Sequence, residues 1–368
     1  MKSTQWIKIV LGLLFFGILF VIGINYFINP YGLYNSKELK LSEIRNFNKM
    51  NLVKISKVEN LKPTSIILGT SRAEFAYNPE HDFFMKPSFN FATAGSSLYE
   101  NRRNLEWAIL QGNLKQVLLV ADYRMFISLK MKQINDFDDY FSRLYKYTFL
   151  LNLDTLNDSF EKIINKQYIN SYLDNGQRNE RFYEKNITER GGTLSVIERQ
   201  YVDAFSGYNK EYKYNDNGLN SFYDFIEIVE LCYKNNIELT IVFGSNHVEL
   251  WESLDNTLGF DNWLNWKKDV VLAMEKIAQR LKQKPFEIVD FSIYNEYTKE
   301  VKTNNMKFHW ELVHYKQRLG DKILDFLNNK SLENIGVKLN ANNIDTHLIN
   351  LKSHRAEYLD DIKNKEIQ

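Results

Sequence analysis

Residues 9–24 are apolar or Gly at every position, and with Trp6, Tyr26 and Phe27 near the ends the stretch reaches the ~20 residues needed to span a bilayer. Lys2 and Lys8 flank it on the N-terminal side, as in a secretion signal, but no small-x-small cleavage site precedes Asn29-Pro30-Tyr31-Gly32. Residues 1–32 are therefore expected to form a cytoplasmic tail and an uncleaved transmembrane helix, with the body outside. The downstream flank is equally basic through Lys37, Lys40, Arg45, Lys49, Lys54 and Lys57, which works against that orientation.

Residues 33–62 carry scattered apolar positions among charges and are expected to form a juxtamembrane connector. Beyond Pro63 the pattern changes to short apolar runs at 66–68, 117–120, 239–243 and 288–289, separated by helical periodicity at 99–111, 222–235 and 263–282. Such alternation predicts an α/β domain over 63–327, a three-layer sandwich around a mainly parallel sheet of flavodoxin type. Sites in these sheets form at the carboxyl ends of strands, where Ser71, Asp122, Ser245 and Asp290 fall. The interval 130–219 breaks the rhythm: rich in Tyr, Asn, Asp and Arg, it reads as a helical and irregular insertion, either a wall over the strand ends or a surface subdomain. The tail, 328–368, is charged, with Ile344, Leu348 and Leu351 spaced for a helix packed on the body.

Composition narrows the classes. A chain of 368 residues, 44% hydrophobic, can bury a large core. A net charge of +1 gives no basic footprint for a nucleic-acid partner. The single cysteine, Cys232, excludes an intrachain disulfide and a cysteine-based zinc site. Neither a P-loop nor a dinucleotide fingerprint occurs, so no cofactor is expected.

Candidate chemistry begins at 65–74, SIILGTSRAE. Gly69 stops an apolar run and Ser71 stands at a helix start, beside backbone N–H groups able to stabilise an oxyanion. Ser71 reads either as a nucleophile or as the N-cap of a capping box with Glu74. Near the C-terminus, Glu311 and His314 are three apart, so the carboxylate can hold one imidazole nitrogen and leave the other as a general base. Between them, Gly95 lies in a loop after a probable strand and Asp122 closes the run 117–120; each reads as an oxyanion-side residue or as a plain turn or cap.

Taken in order, GTS after the first strand, a Gly loop after the second, a polar residue closing the third and a late acid-x-x-His resemble the blocks of the SGNH/GDSL hydrolase superfamily, over 63–327 without the insertion. The anchor ending in NPYG, the GTSR serine block and a His-Tyr followed by Leu-Gly-Asp are similar to membrane-anchored envelope members, including proteins of polysaccharide O-acetylation and teichoic acid D-alanylation. The resemblance implies Ser71 as nucleophile, His314 as base and Glu311 in the place of the family's Asp, with Ser71 N–H and Gly95 in the oxyanion hole. Asp122 stands where the family pattern has an Asn donor. It further implies an esterase or O-acyltransferase of the bacterial cell envelope, anchored in the cytoplasmic membrane, acting on a carbohydrate polymer or acylated glycan, and a membrane-bound acyltransferase as partner. Two other classes stay open: a non-catalytic glycan-binding module of the same fold, and a metal-dependent hydrolase built on His247, His309 and His314 with Glu249 and Glu311.

Overall fold

A computed structural model describes residues 3–34, 39–45, 47–127, 129–164, 169–203, 211–255, 257–330 and 334–366. Lys2 and Lys37, named above for their charge, lie outside these residues, as do 165–168 and 204–210 of the insertion. The helices are α1 (Ser3–Ile28), α2 (Met50–Leu61), α3 (Ser71–Ala76), α4 (Leu98–Leu110), α5 (Tyr123–Ile127), α6 (Leu153–Ile164), α7 (Glu180–Glu189), α8 (Thr193–Asp203), α9 (Ser221–Lys234), α10 (Val248–Asp255), α11 (Phe260–Leu281), α12 (Gln317–Leu327) and α13 (Ile344–Glu366). The strands are β1 (Ser65–Leu68), β2 (Ser88–Asn90), β3 (Gln116–Ala121), β4 (Glu238–Phe243), β5 (Glu287–Asp290) and β6 (Val337–Leu339).

The strands form one sheet in the order β2-β1-β3-β4-β5-β6, parallel from β2 to β5, with β6 antiparallel at the edge. Successive residues point to opposite faces, and both faces are covered. Ile66, Leu68, Val117, Leu119, Leu239 and Ile241 join the apolar cluster that includes α4, α9 and α11. Ile67, Leu118, Val120, Val242 and Val289 join a second cluster with α3 and α12. Burial on both sides explains why these strands read as unbroken apolar runs rather than alternating ones.

α1 is long and apolar enough to cross a membrane, with a mean hydropathy of 2.7 over its best window and none of that window buried in the body, a pattern shared by membrane anchors and signal sequences. The stretch expected as a connector contributes Leu39, Leu41, Leu52, Val53, Ile55 and Val58 to the core. Lys54, counted above with the basic flank, is fully buried and pairs with Glu74 of α3 at 3.1 Å. Burial pushes its ammonium down to about 8, against the pull of Glu74. The tail adds an unexpected element, β6, before its helix. α13 is tied to the sheet through His347 Nε2, 2.8 Å from Asp290, which also receives Lys267 at 2.5 Å.

Candidate active site

The serine is placed by its two predecessors. Gly69, with φ +145°, crosses β3 so closely that a Cβ there would lie 3.0 Å from the Val120 carbonyl oxygen and 2.9 Å from Ala73 Cβ. Thr70 is the N-cap of α3: its side chain accepts from Arg72 N. The capping-box reading of Ser71 is therefore corrected by one residue. Glu74 does not reach back to the cap; it meets Lys54, and Tyr172 OH donates to it at 2.7 Å. Ser71, relieved of capping, points its Oγ at His314 Nε2, 2.8 Å away.

His314 comes from a pinched loop between β5 and α12. Trp310 N donates to His314 O at 2.8 Å and His309 bridges Tyr315, so Glu311, Leu312 and Val313 form the tip. Glu311 Oε1 contacts His314 Nδ1, and because a carboxylate only accepts, Nδ1 carries the proton and Nε2 faces the serine as acceptor. Glu311 is wholly buried; its Oε2 accepts from Gln200 Nε2 at 2.6 Å and from Val313 N at 2.7 Å. Burial alone would raise this carboxyl, but the imidazole of His314 and these donors outweigh it and hold it down to about 2.

The insertion supplies two residues here that motif reading missed, Tyr183 on α7 and Gln200 on α8. Tyr183 OH donates to Glu311 Oε1 at 3.1 Å and lies 3.3 Å from His314 Nδ1. Its ring packs against Phe75 and edge-on to His314, and burial followed by the Glu311 charge pushes its phenol well up. No sequence signal singled out these two among the many polar residues of 130–219.

Asp122, expected beside the oxyanion, is committed elsewhere. Its carboxylate pairs with Arg72 Nη1 at 2.8 Å and accepts from Thr70 Oγ1, so it anchors the serine turn and offers no donor. Arg72 Nε also donates to Val313 O at 3.1 Å, and Asn246 Nδ2 donates to the same carbonyl at 2.9 Å. One guanidinium thus joins the serine turn, the end of β3 and the histidine loop. Gly95, half-buried, sits in the loop after β2, which is drawn to the serine turn by Thr93 N donating to Gly69 O at 3.3 Å. Asn101 of α4 ties the two loops together: its Oδ1 accepts from Gly69 N, and its Nδ2 donates to Ser96 Oγ and Ser97 O.

The side chains of the remaining candidates are engaged otherwise or buried. Asp290 is buried against Lys267 and His347, and Ser245 is buried beyond β4. Both nitrogens of His314 are engaged by Ser71 and Glu311, while His247 holds the Glu300 carbonyl and the Glu249 N–H and His309 holds Glu300. Among the described residues no group of three or more His, Cys, Asp and Glu side chains is gathered as a metal site. A small cavity of about 40 Å³ behind Arg72 is lined by Asp122, Tyr123, Trp251, Trp263 and Trp266, and does not reach Ser71 or His314.

No family model matches the chain, and no curated protein matches it. Among solved structures it is similar to a protein from Streptococcus pneumonia proposed to be a platelet activating factor, at 10% identity over 77% of this chain and 93% of that chain. The TM-score of that superposition is 0.35, too low to carry an argument, so the reading of the site rests on its own geometry.

Proposed function

We propose that the protein is a membrane-anchored serine esterase or O-acyltransferase of the SGNH type, acting through an acyl-serine on an acylated polymer at the cell surface. The observation that carries the reading is the relay Ser71 Oγ to His314 Nε2 at 2.8 Å with buried Glu311 on Nδ1. Ser71 Oγ attacks the ester carbonyl as its proton passes to His314 Nε2; the imidazolium, held by Glu311, then protonates the departing alcohol. Water or a glycan hydroxyl, deprotonated by His314, attacks acyl-Ser71 and releases it. Ser71 N–H in the first turn of α3 and Gly95 N–H are the assigned oxyanion donors.

The anchor assignment is supported by Asn25, near the end of α1, which is buried and donates to the carbonyls of Leu150 and Asn152 at 3.0 and 3.1 Å. A helix so bonded to the body fits a retained segment better than a removed signal. We assign it to the bacterial cytoplasmic membrane with the body outside, where a polymer and a membrane-bound acyltransferase partner would both be within reach.

A second reading, a catalytically degenerate glycan-binding protein of an envelope-modification complex, is favoured by Asp122: the third oxyanion donor is replaced by an anion locked to Arg72. A fluorophosphonate probe separates the two. Labelling of Ser71 that is lost in Ser71→Ala, together with loss of hydrolysis of acetylated esters, is expected for the enzyme; equal labelling of both proteins would sink it.

A further inference from the structure

The helix α6 is built inside out. Its polar side packs on the body: Ser159 Oγ donates to Asn25 Oδ1 at 3.1 Å, Asp158 accepts from Tyr31 OH, and Lys162 Nζ donates to Asn29 O at 3.3 Å. Thr155 and Ser159 are buried. The opposite side carries Leu153 and, seven, ten and eleven residues on, Phe160, Ile163 and Ile164, which share one face and are 71%, 39%, 49% and 75% exposed. A surface helix in water has the reverse arrangement, apolar side in and polar side out.

What the polar side holds is the end of α1, so the apolar face is displayed at that end. The residues gripped by α6 are Asn25, Asn29 and Tyr31, at the level where the apolar run of α1 closes. At the same level a ladder of tyrosines, Tyr26 on Tyr34 at 5.7 Å and Tyr34 on Tyr147 at 6.4 Å, runs from α1 onto the insertion. Stacked tyrosines at a helix end are the side chains favoured at a membrane–water boundary. Leu144 and Leu151, next to that ladder in sequence, are also exposed.

We propose that the outer face of α6 lies in the bilayer interface, with Leu153, Phe160, Ile163 and Ile164 set among the upper acyl chains beside α1. The proposal rests on α1 spanning the membrane and is independent of the chemistry at Ser71. Asp154, Asn157 and Glu161 flank that face, two of them acidic, and Arg45 Nη1 donates to the Glu161 carbonyl at 2.6 Å, so the contact is taken as hydrophobic with no requirement for anionic lipid.

The test is depth-dependent quenching in the full chain, reconstituted in nanodiscs of phosphatidylcholine. Cys232 is buried, so single cysteines introduced as Phe160→Cys, Ile163→Cys and, on the exposed side of α13, Glu357→Cys can carry a bimane label. When lipids bearing a doxyl group near the headgroup replace plain ones, the labels at 160 and 163 are expected to lose fluorescence, in low and high salt alike, and the label at 357 to keep it. Labels at 160 and 163 that behave like the one at 357 would overturn the proposal. So would cross-linking of Phe160→Cys between two molecules at the expense of quenching, which would make a second copy the occupant.

Discussion

At the scale of single residues the site depends on how Glu311 and Asp122 are held. Glu311 keeps its charge because His314 first, and then Gln200 and Val313 N, outweigh burial. In Gln200→Leu, one carboxylate oxygen keeps Val313 N but loses its side-chain donor, a change that typically costs ~1–3 kcal/mol. Slower acylation with KM unchanged is expected, read by stopped-flow with a chromogenic acetyl ester; a shift in KM alone would argue that Gln200 touches substrate instead. Asp122→Asn tests the departure from the family pattern. The amide would stand where Arg72 and Thr70 both donate to a carboxylate, and breaking a buried ion pair of this kind costs ~3–5 kcal/mol. Probe labelling of Ser71 is expected to slow in Asp122→Asn, and faster labelling would contradict this role for the ion pair.

At the scale of elements, serine and histidine meet because the helices that follow them touch. Gly320 in α12 lies against the end of α3, where an added Cβ would sit 1.8 Å from Ala76 O. Gly320→Ala must therefore push the two helices apart, at the ~1–3 kcal/mol usual for overpacking, and a lower melting temperature with weaker Ser71 labelling is expected. Unchanged labelling would mean that the loop alone sets the histidine. Much of this architecture was legible in the sequence: β1, β3, β4 and β5 announce themselves because burial on both faces demands consecutive apolar residues. β6 does not, since Lys338 is exposed at the sheet edge and the strand is three residues long. Ser71, Glu311 and His314 could be read from local spacing. Tyr183, Gln200, Asn246 and Arg72 could not, for their roles arise from contacts across as many as 241 positions.

At the scale of the molecule, buried carboxyls set the response to acid. Glu311 and Asp290 both lie at about 2 when folded, below their ordinary 4.5 and 3.8; for Asp290, Lys267 and His347 outweigh the upward push of burial. The unfolded chain takes up these protons first, so the stabilisation they bring is present above about pH 4.5 and lost as pH falls toward 2. Glu100 runs the other way: burial pushes it up to about 7, and its contribution is present below 4.5 and lost as pH rises through 7. His247 opposes it, because burial pushes its imidazole down to about 4 and its contribution therefore grows as pH rises from 4 toward 6.5; urea midpoints are expected to change little from weakly acidic to neutral pH and to fall steeply on the acid side of 4.5. A midpoint flat down to pH 3 would show that the carboxyls are not held down. The insertion has a further consequence at this scale. The same interval that grips Asn25 through α6 also delivers Tyr183 and Gln200 to Glu311, so one part of the chain touches both the end of α1 and the serine site. Under the proposed function, a span at α1 would hold Ser71 close to the lipid, where an acyl donor confined to the same membrane would meet it at a high effective concentration.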